Sequence, residues 1–233
     1  MSRIVVLAGG SPHAHDFGGI GRALAEIARS NHHYVEVVDH PDLAARLLDQ
    51  GSIDALVMNG LWWRMHGTEY DDWRDDYAYS PPAATKAALT SFVSNGGGLL
   101  AGHTTPICFD DWPEWAEIVG GAWCWGVSSH PPVGSVTAHR TSTASDHPVI
   151  AGLPDTIDLY DEVYGDLAVG SDVEVLMTAK RHAADVDQPV VWAHRYGDGR
   201  TVFDGFGHNA DSIGDAHHRR LIEQALAWVL ATV

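Results

Sequence analysis

The sequence predicts an α/β fold built on an open, mostly parallel sheet with one glycine-bounded strand at its centre. Three observations carry this. Short β-branched and aliphatic runs alternate with helical periodicity through the first half of the chain, a βαβαβ order that favours right-handed crossovers and a parallel sheet. The stretch Asn95-Gly-Gly-Gly-Leu-Leu-Ala-Gly-His-Thr104 reads as a buried strand that ends on Gly102-His103, where a tight turn exposes a polar side chain. Gly9-Gly10, Asn59-Gly60 and Gly207-His208 follow other strand-like runs in the same way. All four ends should share the carboxyl edge of the sheet, where ligands bind in such folds.

Taken in order, Arg3 to Ala8 is a β-branched and aliphatic strand stopped by Gly9-Gly10-Ser11-Pro12. After the loop His13-Ala-His-Asp16, Ile20, Leu24, Ile27 and Ala28 recur at helical spacing. Tyr34 to Asp39 is a second strand, Pro41 to Gln50 a helix, and Ala55 to Met58 a third strand closed by Asn59-Gly60. Leu61 to Ser80 is too long and too aromatic for an ordinary connection and reads as a functional loop. Pro81-Pro82 opens a helix to about Ser94, which leads into the central strand. Beyond His103, Asp110-Asp111-Trp112-Pro113 caps a short helix through Val119 that Gly120-Gly121 ends. Short extra strands follow at Val133 to Ala138, Asp158 to Tyr164, Val173 to Ala179, Val190 to His194 and Arg200 to Gly205, the last two forming a hairpin around Tyr196-Gly-Asp-Gly199. A helix from Asp215 to Leu230 comes last.

Composition narrows the function. The 233 residues, 45% hydrophobic, are read as one domain spanning 1–233. A formal charge of −17 speaks against nucleic acid or an anionic membrane as partner. No apolar run reaches membrane-spanning length, and Arg3 to Ala8 is too short for a signal peptide. A cytoplasmic protein with Cys108 and Cys124 as free thiols is therefore expected. Gly9-Gly10 follows the first strand without a Gly-x-Gly-x-x-Gly pattern or a Walker lysine, so no phosphate cradle is evident. Fifteen histidines and nine tryptophans are the unusual entries in the composition; they point to metal binding, proton transfer or polar contacts within an aromatic lining.

The ordered series Asn95 to His103, Gly120-Gly121, Ser129-His130-Pro131, Asp146-His147-Pro148, Gly152-Leu153-Pro154, Asp161-Glu162-Val-Tyr164, Pro189-Val-Val-Trp192 and Gly205-Phe-Gly-His208 resembles the ThuA-like family of trehalose-utilisation proteins. That family shares the fold of class I glutamine amidotransferases, and the match spans nearly the whole chain. The resemblance implies a flavodoxin-like three-layer sandwich and a role in sugar metabolism, particularly of keto-disaccharides. One departure matters. The amidotransferases carry a cysteine nucleophile at the turn after the central strand, whereas this turn reads Gly102-His103-Thr104, so no thiolate is placed to attack glutamine.

The expected catalytic residues are His103, Glu162 and His208, with Glu162 preferred over Asp161 because strand alternation turns only one of the two inward. The family pattern places His130 and the Asp161-Glu162 pair in the same pocket. His13, Asn59, Trp62, Trp63, His130 and Tyr164 are expected to contact substrate; the two tryptophans suit either stacking on a sugar ring or a hydrophobic plug over the sheet edge. The His13-x-His15 pair is read as a polar rim rather than a metal motif. Trp123 and Trp125 are read as packing on one strand face, and the adjacent pairs His32-His33 and His217-His218 as solvated. Three functions stay open. One is an acid/base enzyme acting on a sugar or keto-sugar. Another is a metal-dependent hydrolase in which three of His103, His130, His208 and Glu162 bind zinc or a similar divalent ion. The third is a noncatalytic carbohydrate-binding or regulatory module. A small-molecule sugar is the expected ligand in each, and a homodimer through exposed tryptophans is consistent with the composition.

Overall fold

Alternating apolar runs and capped amphipathic segments become eleven strands and seven helices among the residues described. A computed structural model describes residues 1–144 and 146–231; Ser145, Thr232 and Val233, although part of the expected 1–233 domain, lie outside the described residues. The strands are β1 (Arg3–Leu7), β2 (Tyr34–Val38), β3 (Ala55–Met58), β4 (Gly98–Gly102), β5 (Gly121–Ala122), β6 (Gly134–Arg140), β7 (Thr156–Asp161), β8 (Ala168–Val169), β9 (Glu174–Ala179), β10 (Gln188–Tyr196) and β11 (Gly199–Asp204). The helices are α1 (Phe17–Ser30), α2 (Pro41–Asp49), α3 (Arg74–Tyr77), α4 (Ala83–Ser94), α5 (Glu114–Val119), α6 (Ala210–Gly214) and α7 (Ala216–Val229).

Nine strands form one sheet in the order β2-β1-β3-β4-β11-β10-β9-β6-β7. Pairings from β2 to β11 are parallel, and those from β11 to β7 are antiparallel. The short strands of the second half thus extend the sheet that the first half begins; β5 and β8 alone pair separately. Period-two alternation divides the core. Ile4 and Val6 face Ile20, Leu24, Ile27, Leu221 and Ala225 of α1 and α7 on one side. Val5 and Leu7 face Ala44, Leu48, Leu89, Val93 and Ile118 of α2, α4 and α5 on the other. The result is the α/β/α sandwich expected.

Caps fix where the helices begin. Asp16 accepts from Gly19 N at 2.9 Å to start α1, and Asn209 accepts from Ser212 N at 2.9 Å to start α6. Gly120, at φ +84°, ends α5 in the left-handed conformation that glycine adopts without penalty. The expected strand Asp158 to Tyr164 starts two residues earlier and stops at Asp161.

The sheet does not stay flat. Strand β7 lies four positions from β11, about 19 Å away in a flat sheet at 4.8 Å per strand. Yet Asp161, at the end of β7, accepts from Gly207 N at 2.8 Å and His208 N at 3.3 Å, just beyond β11. The antiparallel half therefore curls back over the carboxyl edge, as the right-handed twist of a long sheet permits. Antiparallel steps from β11 to β7 also leave the two strands pointing the same way, so their carboxyl ends meet.

Candidate functional site: a histidine and glutamate cluster

Four loops converge at that edge. His15 follows β1 and immediately precedes the Asp16 cap of α1; His208 follows β11 and immediately precedes the Asn209 cap of α6. In both, a cap hydrogen bond one residue on fixes the backbone that carries the imidazole. His103 leaves β4 at φ +30°, a conformation few non-glycine residues adopt and one that concentrates at functional sites. Its N–H donates to Asp204 O at 2.7 Å, which anchors the turn to the neighbouring strand. Glu162 follows β7. Asp161 beside it accepts four hydrogen bonds, from Glu162 N at 2.7 Å, Gly207 N, His208 N and the Ser212 hydroxyl, and so ties the glutamate loop to the His208 loop.

One ligand-capable atom from each of His15, His103, Glu162 and His208 lies within 4.8 Å of every other. Glu162 Oε2 is 3.4 Å from His103 Nε2 and 3.4 Å from His208 Nδ1. Two ligands of a tetrahedral zinc ion, each about 2.1 Å from it, sit about 3.4 Å apart, so this spacing is that of a coordination edge. Hydrogen placement supports the same reading. His103 Nδ1 faces the Gly205 carbonyl at 2.8 Å and donates its proton there, while Nε2 is turned toward the carboxylate. The Tyr164 hydroxyl, 3.3 Å away, is its hydrogen-bond partner. Both ring nitrogens of His15, and Nδ1 of His208, are buried with no hydrogen-bond partner among the described residues. Such a group of imidazole nitrogens and a carboxylate directed at one point could hold a metal ion.

Electrostatics agree. Burial, reinforced by His103 and His208, pushes the His15 pKa down to about 3, so its imidazole is neutral, the form that binds metals. Burial alone would raise the Glu162 pKa, but contacts from His103, His130 and His208 outweigh it and hold the carboxyl well below the usual carboxylate range. The other oxygen, Oε1, is 3.3 Å from His130 Nδ1, and that contact raises the His130 pKa. Burial, then Glu162, lifts the Tyr164 phenol well above its ordinary value, leaving it a neutral donor.

The sequence profile of the ThuA family, described as trehalose utilisation, matches residues 3–229. The chain belongs to the ThuA family. Among solved structures, a ThuA-like protein from Parabacteroides merdae ATCC 43184 superposes with a TM-score of 0.76 at 20% identity, over 99% of this chain and 90% of that one. A cytoplasmic protein from Salmonella typhimurium LT2 gives 0.67 at 14% identity, over 97% and 99%. A cold-adapted β-galactosidase from Rahnella sp. R3 gives 0.64 at 11% identity, with all of this chain covering 32% of that one. Comparison with curated proteins gives no match. At these identities the structural likenesses speak for the fold alone.

Within this ThuA member the expected site residues separate into two groups. His103, Glu162, His208, His130 and Tyr164 are brought together. Of these, His130 touches the outward oxygen of Glu162 and is not in the mutual four-atom cluster, where His15 stands instead. The other four lie elsewhere. His13, exposed, stacks on Trp73 of the long loop at 4.5 Å. Asn59 is buried and donates to Gly207 O at 3.1 Å, bracing the His208 loop. Trp62 and Trp63, 3% and 4% exposed, turn into opposite cores and offer no free ring face. Alternation does not separate Asp161 from Glu162 either; the strand has ended, and both are buried. His218, expected to be solvated, is buried on α7, 2.9 Å from Asp204. His15 was legible by the rule that selected His103, since it follows a glycine-terminated strand on the same edge; reading its loop as a rim obscured it. A surface groove between α2 and α4, at the opposite edge, is lined by Arg46, Thr85, Ser91 and Asn95 and has no histidine in its lining. No described helix is long and apolar enough to cross a membrane.

Proposed function

We propose that this chain is a carbohydrate-acting enzyme whose centre is a divalent ion, zinc by the nature of its donors, held by His15, His103, His208 and Glu162. The mutual approach of those four ligand atoms, with the ring nitrogens of His15 and Nδ1 of His208 otherwise without a hydrogen bond, carries the reading. Three imidazole nitrogens and a carboxylate oxygen suit zinc better than calcium or magnesium, which prefer oxygen alone. Such an ion polarises a sugar oxygen or activates water. The remaining chemistry belongs to the chain. Gly205 O and Tyr164 orient His103, Asp161 sets the height of Glu162 and His208, and the Glu162–His130 pair moves a proton at the outward oxygen, where His130 holds its proton more firmly because of the carboxylate.

Family membership supports a sugar as substrate, and a keto group would acidify its neighbouring C–H enough for such groups to act on it. Glutamine hydrolysis is set aside: His103 occupies the turn, and Cys108, whose thiol donates to Gly60 O at 2.9 Å, is pushed up to about 12 by burial. A cytoplasmic setting is part of the same reading. Metal analysis of protein purified without added ions should find a single divalent ion per chain. Proton exchange beside the carbonyl of a keto-disaccharide in D2O should then vanish in Glu162→Gln. Protein that neither retains nor takes up a divalent ion would defeat the metal centre, and exchange that continues without the ion would return the site to acid/base chemistry alone.

A further inference from the structure

The outward side of the cluster is bordered by indoles other than Trp62 and Trp63. Glu162 Oε2 faces His103 and His208, whereas Oε1 faces His130, whose side chain is 40% exposed against 0% for His103 and 21% for His208. Solvent therefore meets the cluster on the His130 side. Trp123 stands there, its ring 6.1 Å from that of His130 and 5.3 Å edge-on to Tyr164. Trp125 meets Trp123 at 6.3 Å with an interplanar angle of 66°, making a corner, and is itself 49% exposed. The corner is held in place: Trp123 N donates to Pro106 O at 3.0 Å, Cys124 N to Ser128 Oγ at 2.9 Å, and Ser128 Oγ to Asp166 O at 2.7 Å. A fixed aromatic corner continuous with a polar cluster is the usual make-up of a small-molecule site.

We infer that Trp123 and Trp125 form a subsite for the distal ring of a disaccharide, which stacks on Trp125 while the proximal ring reaches His130 and Glu162. A pyranose carries a face of C–H bonds that matches the electron-rich plane of an indole, with hydroxyls at its rim for His130. Two ring-to-ring steps separate Trp125 from His130, room for a second sugar unit beyond the one at the cluster. The substrate class rests on the function proposed above; the subsite does not require the ion.

Saturation-transfer NMR with trehalose, maltose and lactose tests this, with mannitol as an acyclic polyol that has the hydroxyls but no ring face. At least one disaccharide should receive saturation at ring C–H protons, and mannitol none. Trp125→Ala should weaken that disaccharide about tenfold, the equivalent of one stacking contact, with bound metal unchanged, and Trp125→Phe should restore most of the affinity. Unchanged affinity in Trp125→Ala, equal binding of mannitol, or no saturation of any of the three overturns the subsite. So does light scattering that shows Trp125→Ala dissociating a dimer while sugar binding holds, since the corner would then be a contact between copies. Stacking signals that persist after chelation keep the subsite even where metal analysis defeats the ion.

Discussion

His15 carries two buried ring nitrogens without partners, an arrangement that stability alone does not favour. Each buried polar atom left unsatisfied costs about 1–3 kcal/mol, and the neutral imidazole that burial enforces does not remove that cost. An aliphatic side chain of similar size would avoid it. His15→Leu should therefore unfold at higher urea than wild type in the metal-free state, by about 1–2 kcal/mol, while losing zinc uptake. Matched unfolding curves under chelation decide it. A metal-free His15→Leu protein less stable than wild type would mean that the imidazole is satisfied as it stands and that no ion is needed to complete it.

At the scale of elements, the site depends on how β7, β11, α6 and α7 are pinned together. The pins are polar and buried: Asp204 on β11 pairs with His218 on α7 at 2.9 Å, His218 Nδ1 donates to Ser212 O at 2.8 Å, and the Ser212 hydroxyl reaches Asp161. Phe206 covers His218 edge-on at 5.9 Å. Burial alone would lower the His218 pKa, but Asp204, followed by Asp161, outweighs it and lifts the value to about 9. A histidine whose pKa is raised on folding contributes all of its stabilisation below the unfolded value of about 6.5 and loses it as pH rises through the folded value. Stability should therefore decline between about pH 6.5 and 9, by on the order of 3 kcal/mol if this pair dominates. Thermal melts across that window should show the slope, and His218→Gln should flatten it. An equal slope in the variant would assign the pH dependence to other groups.

Across the whole molecule, the parallel half is legible because its strands are short, largely apolar runs bounded by glycine, asparagine or proline, and because α1 and α2 between them carry their own side-chain caps. What the sequence hid was closure. Nothing in Val133 to Ala138 or Asp158 to Tyr164 says that these strands extend the same sheet and curl over its carboxyl edge, since curl is a property of accumulated twist and not of any local pattern. His103 and His208 are visible as turn residues at strand ends, whereas for Trp62 and Trp63 the same position after a strand suits a plug as well as a platform, and their burial makes them the plug. The curl also has a thermodynamic consequence. His15 and His103 come from the parallel half, Glu162 from the far end of the antiparallel half, and His208 from the strand where the two meet. An ion bound by all four would join the two halves in the native state and would find no such set in the unfolded chain. Zinc at about a hundred times its dissociation constant should then add about 2.7 kcal/mol and raise Tm by about 5–10 °C for a chain of this size. Hydrogen exchange should slow in β6 and β7 as well as around His103, because opening the curled half would release the ion. A shift in Tm with protection confined to the loops after β1 and β4 would mean that Glu162 does not share the ion, and the site would reduce to its three imidazoles.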